Sequence, residues 1–304
     1  MLITGERPRQ FVLGDRLVHR LGYCAMKLCR RGADGPPQNR EAAVAVLRRA
    51  VAGGVDHIDT SELFGPHVIN ELIHEALHPY PEGLLIATRV GGRRTADGGW
   101  AEALGPEDLR QEVEDNLDHL GLDVLDLVYL RLPGVGEPGE RSLAEPFESL
   151  AALQQEGLVR HLGVSHVTRR QVAEAQGIAP VACVQNHYNL MHRTDDDLVD
   201  SLAGLGIAYT ALEGMSYTTF FPQGGMNAAQ SAVLETVARR VRASPMQVAT
   251  AWLLARSPNV LVAPGASSVA DLEADLEAAA VVLSPDDLTE LDRIDSLAET
   301  DPSR

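Results

Sequence analysis

The chain has 304 residues, of which 45% are hydrophobic, 23% charged and only 4% aromatic, a globular composition that excludes disordered and fibrous classes. Lys plus Arg number 26 against 43 Asp plus Glu, a formal net charge of −17. Such a surface repels phosphate backbones and lipid headgroups, so neither nucleic-acid nor membrane binding is expected. The longest apolar runs, such as residues 278–283, fall short of the ~18 residues that cross a bilayer, and no apolar leader core follows residues 1–9. Cys24, Cys29 and Cys183 match neither a zinc knuckle nor a CxxC motif. The chain reads as cytoplasmic, with reduced thiols.

Two short alternating runs, 11–13 and 17–21, are joined by Gly14-Asp15-Arg16, which predicts a hairpin. Residues 40–53 have helical periodicity and end on Gly53-Gly54, and a strand follows over 55–60. The pair then repeats: strand 84–89, helix 106–120 with acids in its first turn, strand 125–130, helix 143–156, strand 161–165, helix 168–176, strand 182–186. Helix 195–205, strand 207–211, helix 245–256, strand 260–263 and helix 269–280 complete the series. Strands alternating with helices run parallel, and about eight such units in ~250 residues close into a barrel. An open doubly wound sheet lacks support, because no GxGxxG follows an early strand. The predicted fold is therefore a single (β/α)8 TIM barrel over 1–304, with an N-terminal β-hairpin and extra C-terminal helices. The unpatterned loop 212–227 is expected to cover the site.

Active sites of such barrels lie at the carboxyl ends of the strands. Those ends carry Asp59-Thr60, Arg89, Arg131, Ser165-His166, Gln185-Asn186, Ala211-Leu212-Glu213 and Pro264-Gly265. Side chains alternate along a strand, so His57 shares a face with Asp59, and Tyr129 with Arg131. Asp59, Arg89 and Arg131 are expected to meet at the mouth, where one carboxylate compensates at most one guanidinium. The excess positive charge predicts an anion site. A buried ion-pair network that only closes the barrel is the competing reading.

The run Gly54-Val55-Asp56-His57-Ile58-Asp59-Thr60-Ser61-Glu62-Leu63-Phe64-Gly65 resembles the aldo-keto reductase signature, in which a strand ends in Asp-Thr and Tyr-Gly follows. Segments Ile86-Ala87-Thr88-Arg89, Asp126-Leu127-Val128-Tyr129-Leu130-Arg131-Leu132-Pro133, Leu162-Gly163-Val164-Ser165-His166, Val184-Gln185-Asn186-His187-Tyr188-Asn189 and Pro264-Gly265-Ala266-Ser267-Ser268 match the family in the same order. The resemblance implies a catalytic tetrad of Tyr, Lys, Asp and His and a nicotinamide cofactor, NADPH or NADH. Of the tetrad only Asp59 is kept. Phe64 replaces the tyrosine, Arg89 the lysine and Arg131 the histidine. Phenylalanine has no proton to give, and arginine cannot tune a neighbour by exchanging protons.

On the cofactor side the resemblance implies Ser165, Gln185, Gly265, Ser267 and Ser268. His166 replaces an asparagine there, Leu212 takes the place of a stacking aromatic, and Asp271 and Asp275 stand where phosphate-binding groups are usual. Cys24 replaces a glycine beside the cofactor. These departures imply weakened or lost NADP binding and a barrel repurposed for a non-redox step, such as cyclisation, dehydration or isomerisation of a small anionic or carbonyl intermediate of specialised metabolism. In that reading the arginine pair stabilises charge. The alternatives are an NAD(P)H-dependent oxidoreductase with a non-standard proton donor, and a non-catalytic ligand- or partner-binding barrel.

Candidate acid or base groups are Asp59 first and His166 second, followed by Glu213, Tyr23, Glu62, His67 and His187. Glu62 and His67 read as solvated loop residues, His187 as a strand-to-helix hydrogen bond, and His57 as a satisfied core histidine. No metal site is expected, since Asp59 and the nearby histidines lack a ligand spacing and two arginines repel a cation.

Overall fold

The computed structural model describes residues 10–29, 35–95, 100–134, 138–212 and 225–300. Strands β1 (Gln10–Leu13) and β2 (Arg16–His19) form the expected antiparallel hairpin, turned at Gly14 with φ 66°. The barrel strands are β3 (Tyr23–Cys24), β4 (His57–Asp59), β5 (Leu85–Val90), β8 (Leu125–Arg131), β9 (Val159–Ser165), β10 (Val181–His187), β11 (Ala208–Leu212) and β12 (Val260–Val262). Their order is β12-β11-β10-β9-β8-β5-β4-β3, all neighbours parallel. The ends meet where Leu21 bridges Val262 and Cys24 N–H donates to the Pro264 carbonyl at 3.0 Å. This is the nearly closed eight-stranded barrel of a (β/α)8 fold.

Helices α1 (Arg40–Ala52), α2 (Val68–Leu77), α3 (Pro106–Leu120), α4 (Ala144–Gln155), α5 (Arg169–Gln176), α6 (Asp196–Leu205), α7 (Ala228–Val241), α8 (Pro245–Arg256), α9 (Val269–Glu277) and α10 (Pro285–Leu291) surround the barrel. Where the sequence signals are strong the bounds agree closely. Pro106 opens α3 behind Gly105, and Gly121 closes it in the left-handed conformation. Helix α2 escapes sequence reading; the residue before it is His67, at φ 65°. A second small hairpin, β6 (Gly92–Arg94) with β7 (Trp100–Glu102), is likewise missed. No helix among the described residues is long and apolar enough to cross a membrane.

Alternation divides the apolar residues between two clusters. Outward residues of the strands pack on the helices in one large cluster. Inward residues Leu85, Ala87, Leu127, Tyr129, Cys183, Ala208 and Leu261 form a separate column, closed at its lower end by Leu13 and Val18 of the hairpin. Close packing sets two glycines here. A side chain on Gly163 would lie 2.6 Å from the Tyr129 ring, and one on Gly22 would lie 2.2 Å from His57. His57 itself is buried, and neither of its ring nitrogens makes a hydrogen bond among the described residues. It is not the satisfied core histidine expected, because the Gly22 backbone covers one side and its nearest acid, Asp56, stands 3.6 Å away.

Candidate active site

One step up each strand from the apolar column, the inward positions become polar. Ala87 is followed by Arg89, Tyr129 by Arg131, Cys183 by Gln185 and then His187. With Asp59 and Leu212 they line a cavity of about 510 Å³ at the carboxyl ends of the strands. Its apolar wall includes Leu63, Phe64, Trp100, Leu132 and Val262, and Pro264 and Gly265 form one side. The chain's only lysine, Lys27, also faces it.

Asp59 and Arg89 form a buried ion pair, with Arg89 7% and Asp59 4% exposed. Burial pushes the Arg89 guanidinium down, but the Asp59 carboxylate, Cys24 and Tyr129 raise it, and the net direction is upward. Arg89 Nε donates to Gln185 Oε1 at 3.1 Å, and its guanidinium carbon lies 5.3 Å from the centre of the Phe64 ring. Gln185 Nε2 donates to Asp59 Oδ2 at 2.7 Å. The Ser165 hydroxyl donates to Gln185 Oε1 and accepts from Arg131 Nη1, each at 3.2 Å. The five groups form one connected chain from Asp59 to Arg131.

Other sequence candidates fall elsewhere. Tyr23 is fully buried, its hydroxyl donates to the Ala266 carbonyl at 2.7 Å, and burial raises its pKa well above the usual range. It is a tie between the first strand and the 264–268 turn, not an acid in the cavity. His166 is 2% exposed at φ 61°, and its Nε2 makes no hydrogen bond. Gly134, not His166, lines the cavity, and it packs so closely on the ring that a Cβ there would lie 3.1 Å from that nitrogen. Burial, and then Arg131, push its pKa down to about 4. Ser267 is exposed, and Ser268 caps α9 by accepting from Asp271 N–H at 3.1 Å. Glu213 and most of the loop after it lie outside the described residues.

His187 does line the cavity, where a strand-to-helix hydrogen bond was expected. Its pKa is pushed down to about 3 by burial first and then by Arg131. Two-residue spacing from Gln185 is the signal that places it there. Glu62 is not a solvated loop residue. It is 6% exposed, with Asn70 and His119 on its carboxylate beside His67. The β4–α2 segment folds back so that His67 N–H reaches the Glu62 carbonyl at 2.9 Å.

Glu112 of α3 supports the cavity rim by accepting from Gly91 N–H at 2.8 Å. Burial pushes its pKa up to about 8 from 4.5, against the opposing pull of the Gly91 and Gly92 amides. A raised carboxyl pKa means that the folded chain holds a proton which the unfolded chain releases. Its contribution to stability is full below 4.5 and is lost as pH rises through about 8. Melting temperatures across that window should therefore fall in the native chain and fall less in Glu112→Gln. Equal slopes in the two proteins would remove this assignment.

A parallel barrel with one polar-ringed cavity at its carboxyl ends is the frame of a small-molecule enzyme. A family model described as the Aldo/keto reductase family matches residues 20–296. The chain belongs to the aldo/keto reductase family. Pyridoxine 4-dehydrogenase of Escherichia coli (strain K12) is 51% identical over 286 residues, covering 93% of this chain and 97% of that protein. The crystal structure of a thermostable aldo-keto reductase with the inhibitor epalrestat has a TM-score of 0.78 at 28% identity, over 94% of this chain and 99% of that one. An aldo/keto reductase from Klebsiella pneumoniae, solved with NADP and acetate, has a TM-score of 0.75 at 22% identity, over 97% of each chain.

These findings overturn the expectation of a non-redox cyclase, dehydratase or isomerase. That expectation rested on Phe64, Arg89 and Arg131 at the tetrad positions, whereas the similar protein is named for a dehydrogenase activity across nearly its whole length. Phe64, Arg89 and Arg131 line the cavity. They are not evidence that redox chemistry was lost.

Proposed function

We propose that this chain is a nicotinamide-dependent oxidoreductase that interconverts a primary alcohol and an aldehyde on a small aromatic ring, pyridoxine and pyridoxal being the leading pair. The observation that carries the reading is the polar chain Asp59–Arg89–Gln185–Ser165–Arg131 at the closed end of an apolar cavity, in a protein 51% identical to a pyridoxine 4-dehydrogenase. The cavity fits the cofactor on two counts. The known bonds of Gln185 use one of its two amide N–H groups, leaving the other without a partner among the described residues and available to a carboxamide oxygen. Gly265 is the second, since a side chain there would lie 3.1 Å from Lys27 Cγ and fill the passage beside the chain's only lysine.

Gln185 and Ser165 would hold the nicotinamide amide, and Lys27 with the Gly265 backbone would hold the pyrophosphate. When bound, the cofactor accepts hydride from the alcohol carbon or returns it to the aldehyde. The chain's own groups act on the oxygen. Arg131 donates hydrogen bonds to the oxygen as negative charge develops on it. His187, neutral in the resting cavity because burial and then Arg131 hold its pKa down to about 3, would accept the hydroxyl proton as hydride leaves the alcohol carbon. Phe64, Leu63 and Trp100 cover the flat face of the ring and exclude water.

The test begins with titration of the purified protein by NADPH and by NADH, followed by turnover of pyridoxine with the oxidised cofactors. Saturable binding in the micromolar range together with formation of pyridoxal is expected. No binding at millimolar cofactor would overturn the reading. Binding without oxidation of pyridoxine would overturn the substrate and keep the cofactor.

A further inference from the structure

We propose that Glu62, His67 and His119 form a binding site for one Zn²⁺ that fastens the β4–α2 segment to the end of α3. Their ligand atoms lie within 4.8 Å of one another. Nδ1 of His67 and Nδ1 of His119 both face Glu62 Oε2, the second at 3.1 Å. Two imidazole nitrogens and one carboxylate oxygen are a zinc donor set that leaves a fourth position for water. With bonds of ~2.0–2.1 Å, tetrahedral ligands stand ~3.3 Å apart, close to the spacing of His119 and Glu62. His67 sits nearer the carboxylate and has to withdraw from it, and the ligand atoms, which lie within 4.8 Å of one another, have to draw in to that spacing around the ion. Its ring is the most exposed of the three, at 51% against 28% for His119 and 7% for Glu62, so it has room to do so.

Behind the three ligands is a buried set of hydrogen bonds that fixes the carboxylate. Asn70 Nδ2 donates to Glu62 Oε1 and to Asn116 Oδ1, and Asn70 Oδ1 accepts from the Thr60 hydroxyl at 2.8 Å. Asn116 Oδ1 accepts in turn from Thr88 at 2.6 Å. Such backing orients a metal carboxylate and leaves its other oxygen to the ion. The exposed rings supply the entry side, and the net charge of −17 raises the local concentration of cations. The site lies outside the catalytic chain yet next to it in sequence. Leu63 and Phe64, between Glu62 and His67, are cavity wall. Bound zinc is thus a clasp on the loop that carries Phe64.

The experiment is calorimetric titration of chelator-treated protein with ZnCl2 in a non-coordinating buffer, alongside hydrogen exchange of residues 60–67. One saturable site per chain at micromolar affinity is expected, with slower exchange in that segment. His67→Ala and His119→Ala should each weaken binding by roughly a hundredfold or more. Both change partly exposed rings, so they decide the matter even if Glu62→Gln fails to fold. His78→Ala should leave binding unchanged; it removes a ring from the other close pair, His74 and His78, whose centres are 4.7 Å apart. Absence of saturable binding at millimolar zinc, binding that survives both histidine variants, or binding lost in His78→Ala would each overturn the site.

Discussion

Replacing Arg89 with alanine is expected to lower the unfolding free energy by about 3–5 kcal/mol, the usual cost of removing one partner from a buried ion pair. The carboxylate of Asp59 would be left 4% exposed, with the Gln185 amide at 2.7 Å and the Cys24 thiol at 3.5 Å as its remaining donors. Neither carries a charge. Gln185 Oε1 would also lose the Arg89 donor, and Phe64 its cation. Removing both charges together, as Arg89→Met with Asp59→Asn, should recover most of the loss, because no buried charge then stands alone. Denaturant titration of the native chain and the two variants separates these terms. An alanine variant as stable as the native chain would mean that water reaches Asp59 and that the pair is not a structural element of the barrel.

Arg131 is expected to behave in the opposite manner, with a large effect on rate and a small one on stability. It is partly exposed at the cavity and donates to Ser165, so truncation removes a water-accessible charge rather than a buried one. On the proposed reaction, Arg131→Ala should lower kcat/KM by ~10²–10³-fold, the scale for losing a donor to a developing oxyanion. Arg131→Lys keeps the charge but not the planar fork and should fall between the two. A second readout is independent of substrate. Arg131 depresses His166 and His187, second to burial in each case, so its removal should move both pKa values upward from about 4 and about 3. Proton NMR titration of the two imidazoles measures this directly. Unchanged turnover with unchanged histidines would remove Arg131 from the site.

The barrel was legible because its signals are periodic and local. Capping glycines, first-turn acids and strand runs repeat along the chain, and the Pro106–Leu120 helix carries Pro at one end and Gly at the other. Convergence of Asp59 and Arg89 followed from their strand-end positions alone. What sequence could not supply was the third dimension of loops. Glu62 and His67 look solvated when read in line, and only the return of the segment onto α3, 57 residues beyond Glu62, buries the acid beside His119. Tyr23 and His166 failed as candidates for a related reason. A strand-end position states how high a residue stands in the barrel, but one more step of alternation turns its side chain into the wall. The functional misjudgement had a different source, since absence of a familiar proton donor was equated with absence of the reaction.

Lys27 gives the molecule an unusual chemical address. As the only lysine in the sequence, it is the sole side-chain amine, and it opens on the cavity. Amine-directed reagents that scatter labels over the lysines of most proteins would find a single side-chain target here, at the doorway of the barrel. A fluorophore or crosslinker placed in this way reports on occupancy of the cavity, whereas immobilisation on an amine-reactive support would obstruct it.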